Sequence, residues 1–371
     1  MQNSTHNSLP IYDIAIIGAG PAGSAAALTA LAEQQNRIAL IHSPTQHTQT
    51  IGESATPSVT QLIRQLGLNH QLDQQGHLTS EGHLSQWGSP QLAEQDFITQ
   101  GQGHGWHLDR TTFDAWLRTE AEQRGSTLLT NQRYNRIGRL DKGHWGIELQ
   151  TDAGIKRIVA RAVMDATGRS AKLARQCGAQ RHKRDQLVAI SYQAPAQTAR
   201  LQHFTLVESS QDGWWYGAGL PNGNIMVCYM SDADLINQQQ LKQPEQLARL
   251  LKQSQEIQHH VAPPGPETLL HSYPANTSYI DQIAGAGWIA IGDAALAMDP
   301  LTSSGINSAL ADGMAGAQAI LEYLEGNDQA LRQHTHNINQ TIQRYLAERL
   351  QMYQREQRWT DTPFWQRRQT P

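Results

Sequence analysis

Gly18, Gly20 and Gly23 stand in a G-x-G-x-x-G spacing, with Ala19, Pro21 and Ala22 between them. The pattern suits a turn wrapped around a pyrophosphate. Gly18 permits the tight turn, Gly20 lets the backbone approach the phosphates, and Gly23 lets the next helix pack on the strand. That helix opens with Pro21 and Ala22 and aims its N-terminal N–H groups at the negative charge. A second strand would ordinarily end in an acidic residue bonded to a ribose hydroxyl. Here the position holds His42, followed by Ser43. Either can donate or accept a hydrogen bond, but neither offers the two-oxygen acceptor of a carboxylate, so nucleotide affinity below the norm for such turns is expected.

The elements around this turn must place it at a strand-to-helix junction. Tyr12 to Ile17 is an apolar run of the kind buried on both faces of a sheet. An Ala- and Leu-rich helix follows to about Gln35, and Arg37 to His42 reads as the next strand, completing a βαβ unit. Ser58 to Leu66 and Thr112 to Arg124 carry apolar residues at helical spacing. His144 to Thr151 and Lys156 to Asp165 read as strands, the second running into Asp165-Ala166-Thr167-Gly168-Arg169. Leu187 to Tyr192, Phe204 to Glu208, Trp214 to Gly219 and Asn224 to Tyr229 predict an antiparallel sheet, with a turn at Pro221-Asn222-Gly223. Residues 235–258 predict a polar helical region, Trp288 to Ile291 a strand, and the chain after Gly305 helix almost to its end. Residues 70–105, rich in Gln, His and Gly, give no clear pattern.

Composition narrows the function. The chain has 371 residues, with 29 basic against 33 acidic side chains and a net charge of -4, so it lacks the basic field that drives nucleic-acid binding. No run approaches the roughly 20 apolar residues of a membrane span, and the polar start predicts no secretory signal, which together point to a cytoplasmic protein. Two distant cysteines, Cys177 and Cys228, exclude a disulfide framework and an iron–sulfur cluster. No H-x-x-x-H or H-E-x-x-H spacing occurs among the sixteen histidines, so no metal site is expected.

Gly292-Asp293-Ala294-Ala295, followed by Asp299-Pro300-Leu301-Thr302-Ser303-Ser304-Gly305-Ile306, completes a set with the glycine turn and the Asp165–Arg169 stretch. In this order the three motifs resemble FAD-dependent monooxygenases of the para-hydroxybenzoate-hydroxylase type, a group that includes flavin-dependent halogenases and geranylgeranyl reductases. The resemblance implies an α/β (α+β) fold: a Rossmann-like FAD-binding βαβ domain, an interleaved antiparallel-sheet substrate domain and a helical C-terminus. The implied division is 1–69, 106–170 and 280–330 for FAD, 70–105 and 171–279 for substrate, and 331–371 as the helical end. The implied cofactor is FAD. Gly292 and Asp293 would hold its ribityl chain, with Asp165 nearby. Pro300, Ser304, Gly305 and Ile306 would wrap its ring, the positive end of the late helix facing the charge that develops there.

A third block, Gly52-Glu53-Ser54 with Pro57 and Trp106-His107-Leu108-Asp109-Arg110, is similar to the halogenase-like branch. It implies Ser54 and Arg110 as further FAD contacts; a surface salt bridge is the other reading of Arg110. Halogenases need a lysine downstream of the G-E-S segment, and here the first lysine is Lys142. The W-x-W-x-I-P signature is also missing, its nearest stretch being Trp214 to Pro221. Ser85 to Ser89, Gly103 to Arg110 and the tail around Trp359 and Phe364 to Arg368 instead resemble flavoproteins that mature the cysteine tryptophylquinone of quinoprotein amino-acid oxidases. That branch implies hydroxylation of a tryptophan in a precursor protein through a flavin hydroperoxide. Glu53, on the loop bordering the reactive flavin face in related enzymes, is the first candidate for proton transfer. His104 and His107, flanking Trp106, have a suitable ordinary pKa. Trp214, Trp215 and Tyr216 either stack on an aromatic substrate or fill the core. Trp359, Phe364 and Trp365 either pin the last helix or form a docking patch. No second G-x-G-x-x-G follows a strand, so electrons would come from NAD(P)H docking transiently or from reduced flavin in solution. A hydroxylase or halogenase of a small aromatic metabolite, and a flavin-stabilised chaperone of the precursor, are the alternatives.

Overall fold

The computed structural model describes residues 10–32, 36–43, 51–68 and 72–370. The run of the first helix to Gln35, the polar start and the first residues of the 70–105 segment lie partly outside them. The strand Ile11–Ile17 sits at the centre of the largest sheet, parallel to Gly154–Asp165 on one side and Ile38–Ile41 on the other. Trp288–Ala290 and Thr127–Leu129 extend this parallel core outward. Trp145–Thr151 and Arg133–Arg139 add an antiparallel flap along the first half of Gly154–Asp165. Ile14, Ile16, Leu40 and Val163 are completely buried, which is why these strands read as unbroken apolar runs. On one face the helices Pro21–Ala32 and Gly305–Leu324 pack so closely that a Cβ on Gly313 would stand 2.3 Å from the Ala22 carbonyl oxygen.

The expected antiparallel sheet is present and longer than predicted. Its order is His271–Pro274, Leu187–Pro195, Asn224–Asp232, Gly213–Gly219, Phe204–Ser210, Gly82–Gln86, Ala93–Asp96. The hairpin at Pro221 to Gly223 closes with Gly223 N–H donating to the Leu220 carbonyl at 2.9 Å. Residues 82–86 and 93–96, which carry no clear sequence signal, extend this sheet, Gly82–Gln86 pairing in parallel with Phe204–Ser210. The region 235–258 differs from expectation. It is two helices, Ala233–Gln238 and Pro244–Leu251, broken at Gln240 with φ +56° and restarted by Pro244, which suits a first helical turn but not an interior.

After Gly305 the chain forms Gly305–Leu324, Asp328–Gln354 and Pro363–Gln369. Phe364 and Trp365 are fully buried, and the Trp365 indole donates to the Ser210 carbonyl at 3.0 Å. Trp87 closes the cluster, edge-on to Trp365 at 5.3 Å and to Trp214 at 6.2 Å. Trp359 is half-buried and stacked on Trp365. The tail aromatics therefore pin the last helix instead of forming an exposed docking patch. Trp214 and Trp215 are likewise core residues with no exposure.

Arg368, also fully buried, is held by the Asp232 carboxylate at 2.5 and 3.0 Å. Removing one member of a buried ion pair strands the other charge. Asp232→Ala is expected to lower unfolding stability by about 3 kcal/mol, read from urea denaturation, with Trp365 fluorescence reporting release of the tail.

Candidate active site

The glycine turn lies where Ile11–Ile17 leaves the sheet. Gly18 has φ +111°, and a Cβ there would stand 2.0 Å from the Ala166 carbonyl oxygen. A Cβ on Gly23 would meet the Gly18 carbonyl oxygen at 1.9 Å, so both positions are closed by the chain itself. Gly20 differs: among the described residues, its chain neighbours aside, no atom lies within 4 Å of where its Cβ would be. The open space over Gly20, ahead of the N-terminus of Pro21–Ala32, is the cradle that a pyrophosphate requires.

Arg118 stands at this cradle, donating to the Ala19 carbonyl at 3.3 Å; burial, and then the nearby Arg118 charge, disfavour protonation of His42. Sequence reading missed it. The signal was there in Arg110, Asp114 and Arg118, spaced four apart on the helix Arg110–Gln123 and thus on one face. His42 is half-buried and Ser43 exposed at the end of the second strand, where Ser43 donates to the Gln132 carbonyl.

Asp165 is fully buried. Its carboxylate accepts from the Thr167 N–H at 2.9 Å, the Thr167 hydroxyl at 2.6 Å and the Ala174 N–H at 2.7 Å, so it holds the turn beneath Gly18. Arg169 crosses from that turn to the Met298 carbonyl at 2.7 Å and to Asp293 at 3.6 Å. Asp293 keeps 41 % of its side chain accessible. Gly292, at φ +58°, donates its N–H to Asp312 at 2.5 Å from the late helix.

The Pro300–Ile306 loop is fastened from behind. Asp299 is buried and accepts from Arg349 at 2.9 Å and the Tyr353 hydroxyl at 3.1 Å, while its N–H donates to the Tyr345 hydroxyl at 2.8 Å. All three partners lie on Asp328–Gln354. Ser303 takes φ +51°, Ser304 makes no side-chain cap, and the Gly305–Leu324 helix presents its first N–H groups with open space at Gly305. Asn307 in its first turn donates to Thr56 Oγ1 at 2.9 Å and Ser58 Oγ at 2.6 Å, tying the Gly52–Ser58 loop to it.

Arg110 is nearly buried and committed within the chain, to Asp114 at 3.1 Å and to the Ile51 carbonyl at 2.9 Å. It is neither a surface salt bridge nor a free guanidinium: it holds the Gly52–Ser54 loop. Ser54 is buried between Thr205 Oγ1 at 2.6 Å and the Tyr216 hydroxyl at 2.8 Å. Beside it Glu53 is 2 % exposed, and among the described residues neither carboxylate oxygen has a hydrogen-bond partner. Burial pushes its pKa up to about 7, against the pull of Arg110, nearby N–H groups and Tyr216.

The two histidines part company. His107 is fully buried, with Nδ1 at 3.2 Å from the Gln202 carbonyl and Nε2 at 3.1 Å from Thr205 Oγ1, and desolvation lowers its pKa to about 4. His104 is exposed, its ring edge-on to Trp106 at 5.0 Å. It lines an open cavity of about 510 Å³ with Thr56, Thr60, Gln61, Arg64 and Gln102, outside the Gly52–Ser58 loop. Among the described residues no cluster of His, Cys, Asp or Glu could hold a metal ion, and no helix is long and apolar enough to cross a membrane.

The open Gly20 cradle, the accessible Asp293 and the uncapped helix start at Gly305 fit an extended FAD. The family model described as an FAD binding domain matches residues 11–353. LodB of Marinomonas mediterranea, whose name provisionally assigns it to the FAD-dependent oxidoreductases, is 28 % identical over 362 residues, 96 % of each chain. The myxobacterial chondrochloren halogenase CndH, an FAD-dependent halogenase, shares the fold with a TM-score of 0.87 and 21 % identity over 98 % of this chain and 86 % of its own. QhpG, a peptidyl tryptophan dihydroxylase essential for tryptophylquinone cofactor biogenesis, has a TM-score of 0.77 and 24 % identity over 96 % of this chain and 78 % of its own.

Because Glu53 titrates near 7 when folded and at its ordinary 4.5 when unfolded, the folded state holds the extra proton between these values. The stability this gives is complete below pH 4.5 and lost as pH rises through 7. In flavin-free protein, Glu53→Gln is expected to remove that loss. Urea unfolding at pH 5 and pH 8 should show the variant gaining on wild type by about 3 kcal/mol at the higher pH.

Proposed function

The chain belongs to the FAD-binding-domain family, and from that premise we propose that it hydroxylates a tryptophan side chain within a precursor protein, on the way to a cysteine tryptophylquinone cofactor in a quinoprotein oxidase. It is an FAD-dependent oxidoreductase of the superfamily that holds the flavin-dependent monooxygenases and halogenases. The observation that carries the finer reading is Glu53. The buried ionisable group beside the Gly52–Ser58 loop is an unpartnered acid, and no lysine precedes Lys142 to serve halogen transfer. The shared fold with a peptidyl tryptophan dihydroxylase supports a protein substrate.

Bound FAD supplies the redox chemistry that activates oxygen. Gly18, Gly20, Pro21, Ala22 and Gly23 with Arg118 would hold its pyrophosphate, and His42 and Ser43 its ribose. Asp293, steadied by Arg169, would hold the ribityl chain. The Pro300–Ile306 loop would flank the ring, with helix N–H groups from Gly305 onward toward its negative end. Asp165, Ser54 and Arg110 hold the turns that shape this site. An indole held against the Gly52–Ser58 loop would meet Glu53, whose pKa near 7 lets it give and take a proton at working pH. The buried walls around that carboxyl exclude water. Electrons would come from NAD(P)H docking transiently or from reduced flavin in solution.

Co-expression with a quinoprotein oxidase precursor is expected to add oxygen to a tryptophan, seen as a mass gain in a tryptic peptide. Glu53→Gln should cut the rate at least tenfold. Oxygenation or halogenation of free indoles with the precursor unmodified would refute the reading. Gly20→Ala has room in the protein itself, so it should fold normally yet bind FAD more weakly, measured by flavin fluorescence titration.

A further inference from the structure

An open cavity of about 510 Å³ lies beside the Gly52–Ser58 loop, and nothing in the chemistry assigned to Glu53 uses it. Its position follows from a short ladder. Ser54–Ala55 pairs antiparallel with Gly105–His107, Ser54 opposite His107 and Ala55 opposite Trp106. The pairing ends there, and the cavity opens beyond it, between the helix Ser58–Gln65 and the segment Gln102 to His104.

That helix has two faces. Val59 and Ile63, four apart, are buried in the core, and Gln61 and Arg64 are exposed and line the cavity. Much of the remaining lining is already engaged. Thr60 Oγ1 accepts from the Trp106 indole at 3.0 Å, and Asn307 holds Thr56 and Ser58. Gln61, Arg64 and His104 are left: among the described residues none of these side chains has a hydrogen bond or an ion pair with another. Two ordinary duties of an arginine are closed to Arg64. The last carbonyls of its helix, Leu66 and Gly67, are held by Arg124 at 2.8 and 3.0 Å. No acid stands among the described residues that line the cavity.

The same lining selects the kind of ligand. Small-molecule sites are lined mainly by apolar and aromatic side chains. Here, among the described residues, Pro57 is the one apolar side chain and the His104 imidazole the one ring. An extended peptide suits these groups better. The Gln61 amide both donates and accepts, as peptide groups do, and a carboxylate gives a guanidinium a two-point partner. A lone inorganic anion would engage Arg64 and leave the other walls empty. We propose that this cavity docks an acidic segment of the protein substrate, Arg64 pairing with an aspartate or glutamate side chain while Gln61 and His104 hydrogen-bond the adjoining backbone. The inference rests on the substrate being a protein, and it adds which part of that protein is read: a carboxylate outside the ring that reacts.

Fluorescence anisotropy of the FAD-loaded protein tests it, using labelled nine-residue peptides of Gly and Ser around a central Trp, with two Asp, two Lys or neither in the flanks. The Asp peptide is expected to bind about threefold to fivefold more tightly than the neutral one, the scale of one exposed ion pair, and the Lys peptide more weakly than either. Arg64→Glu should reverse the order of the charged peptides, with urea unfolding like that of wild type because Arg64 is exposed. Arg133→Glu, on the antiparallel flap, makes the same change in net charge and should keep the wild-type order. Equal binding of the three peptides, or none, would overturn the inference. So would an Asp preference that survives Arg64→Glu or disappears in Arg133→Glu, or succinate binding as tightly as the Asp peptide. Docking is read here without turnover. An Asp preference carried by Arg64, with no oxygen added to a co-expressed precursor, would uphold the cavity and refute the reaction. A precursor oxygenated while all three peptides bind alike would do the reverse.

Discussion

Four strand ends converge at one point, and the close approach of Gly18 to Ala166 is what holds them there. Ala166 N–H donates to the Ile17 carbonyl at 2.9 Å, Gly18 N–H to the Ile41 carbonyl at 3.0 Å, and Ile291 N–H to the Asp165 carbonyl at 2.9 Å. These bonds require the two backbones to touch, and the missing Cβ at Gly18 allows it. The glycine turn, the Asp165–Arg169 turn and the Gly292–Asp293 turn thus meet at the carboxyl edge of the parallel sheet. An open sheet offers its ligand crevice at that edge. Stretches more than a hundred residues apart become one site because their strands are neighbours and end at the same level.

What was legible in the residues follows from how local the cause was. The βαβ unit announced itself because strands buried on both faces must be apolar throughout and the turn needs glycines at fixed places. The hairpin at Pro221 to Gly223 likewise depends on neighbours in the chain. Residues 82–86 and 93–96 were opaque for the opposite reason: their strands exist through pairing with Phe204–Ser210, and Glu94 and Gln95 face solvent without an apolar rhythm. The tail was ambiguous because Trp and Arg serve an interior pin and an exposed patch equally well. Only the partners, Trp87 and Asp232, decide it. In the site, the motifs marked the right turns but not which atoms are free. Asp165 and Arg110 are each bonded to their own surroundings, Asp165 to Thr167 and Ala174 and Arg110 to Asp114 and Ile51, and Arg118 two turns along bonds the cradle at the Ala19 carbonyl.

The long C-terminal helix Asp328–Gln354 acts on the same edge from behind. Arg349, Tyr345 and Tyr353 close on Asp299, and Arg349 also reaches Asp185 at 2.9 Å, next to the second sheet. One buried carboxylate is therefore shared by the Pro300–Ile306 loop and a helix that also carries the tail. Buried ion pairs of this kind add little net stability against an apolar alternative, but they tolerate few geometries. Their value here is to fix where Pro300 to Gly305 lie relative to the Gly52–Ser58 loop that Asn307 grips from the other side.

Two acids in this neighbourhood, Asp312 and Glu53, are lifted by burial to about 7, and the difference between them separates structure from chemistry. Asp312 is lifted to about 7, but it accepts the Gly292 N–H and so serves the backbone of the Gly292–Asp293 turn. Glu53 is lifted equally and has no hydrogen bond to either oxygen. A fold selected for stability alone would replace such a group with an apolar side chain of similar size, since an unpartnered buried polar group costs on the order of 1–3 kcal/mol. Its neighbours are not disordered around it: Arg110, Ser54, Thr205 and His107 are all engaged, and every bond among them leaves the carboxyl untouched. A buried acid left unpartnered while the groups around it are engaged marks the site as one for chemistry more than for stability.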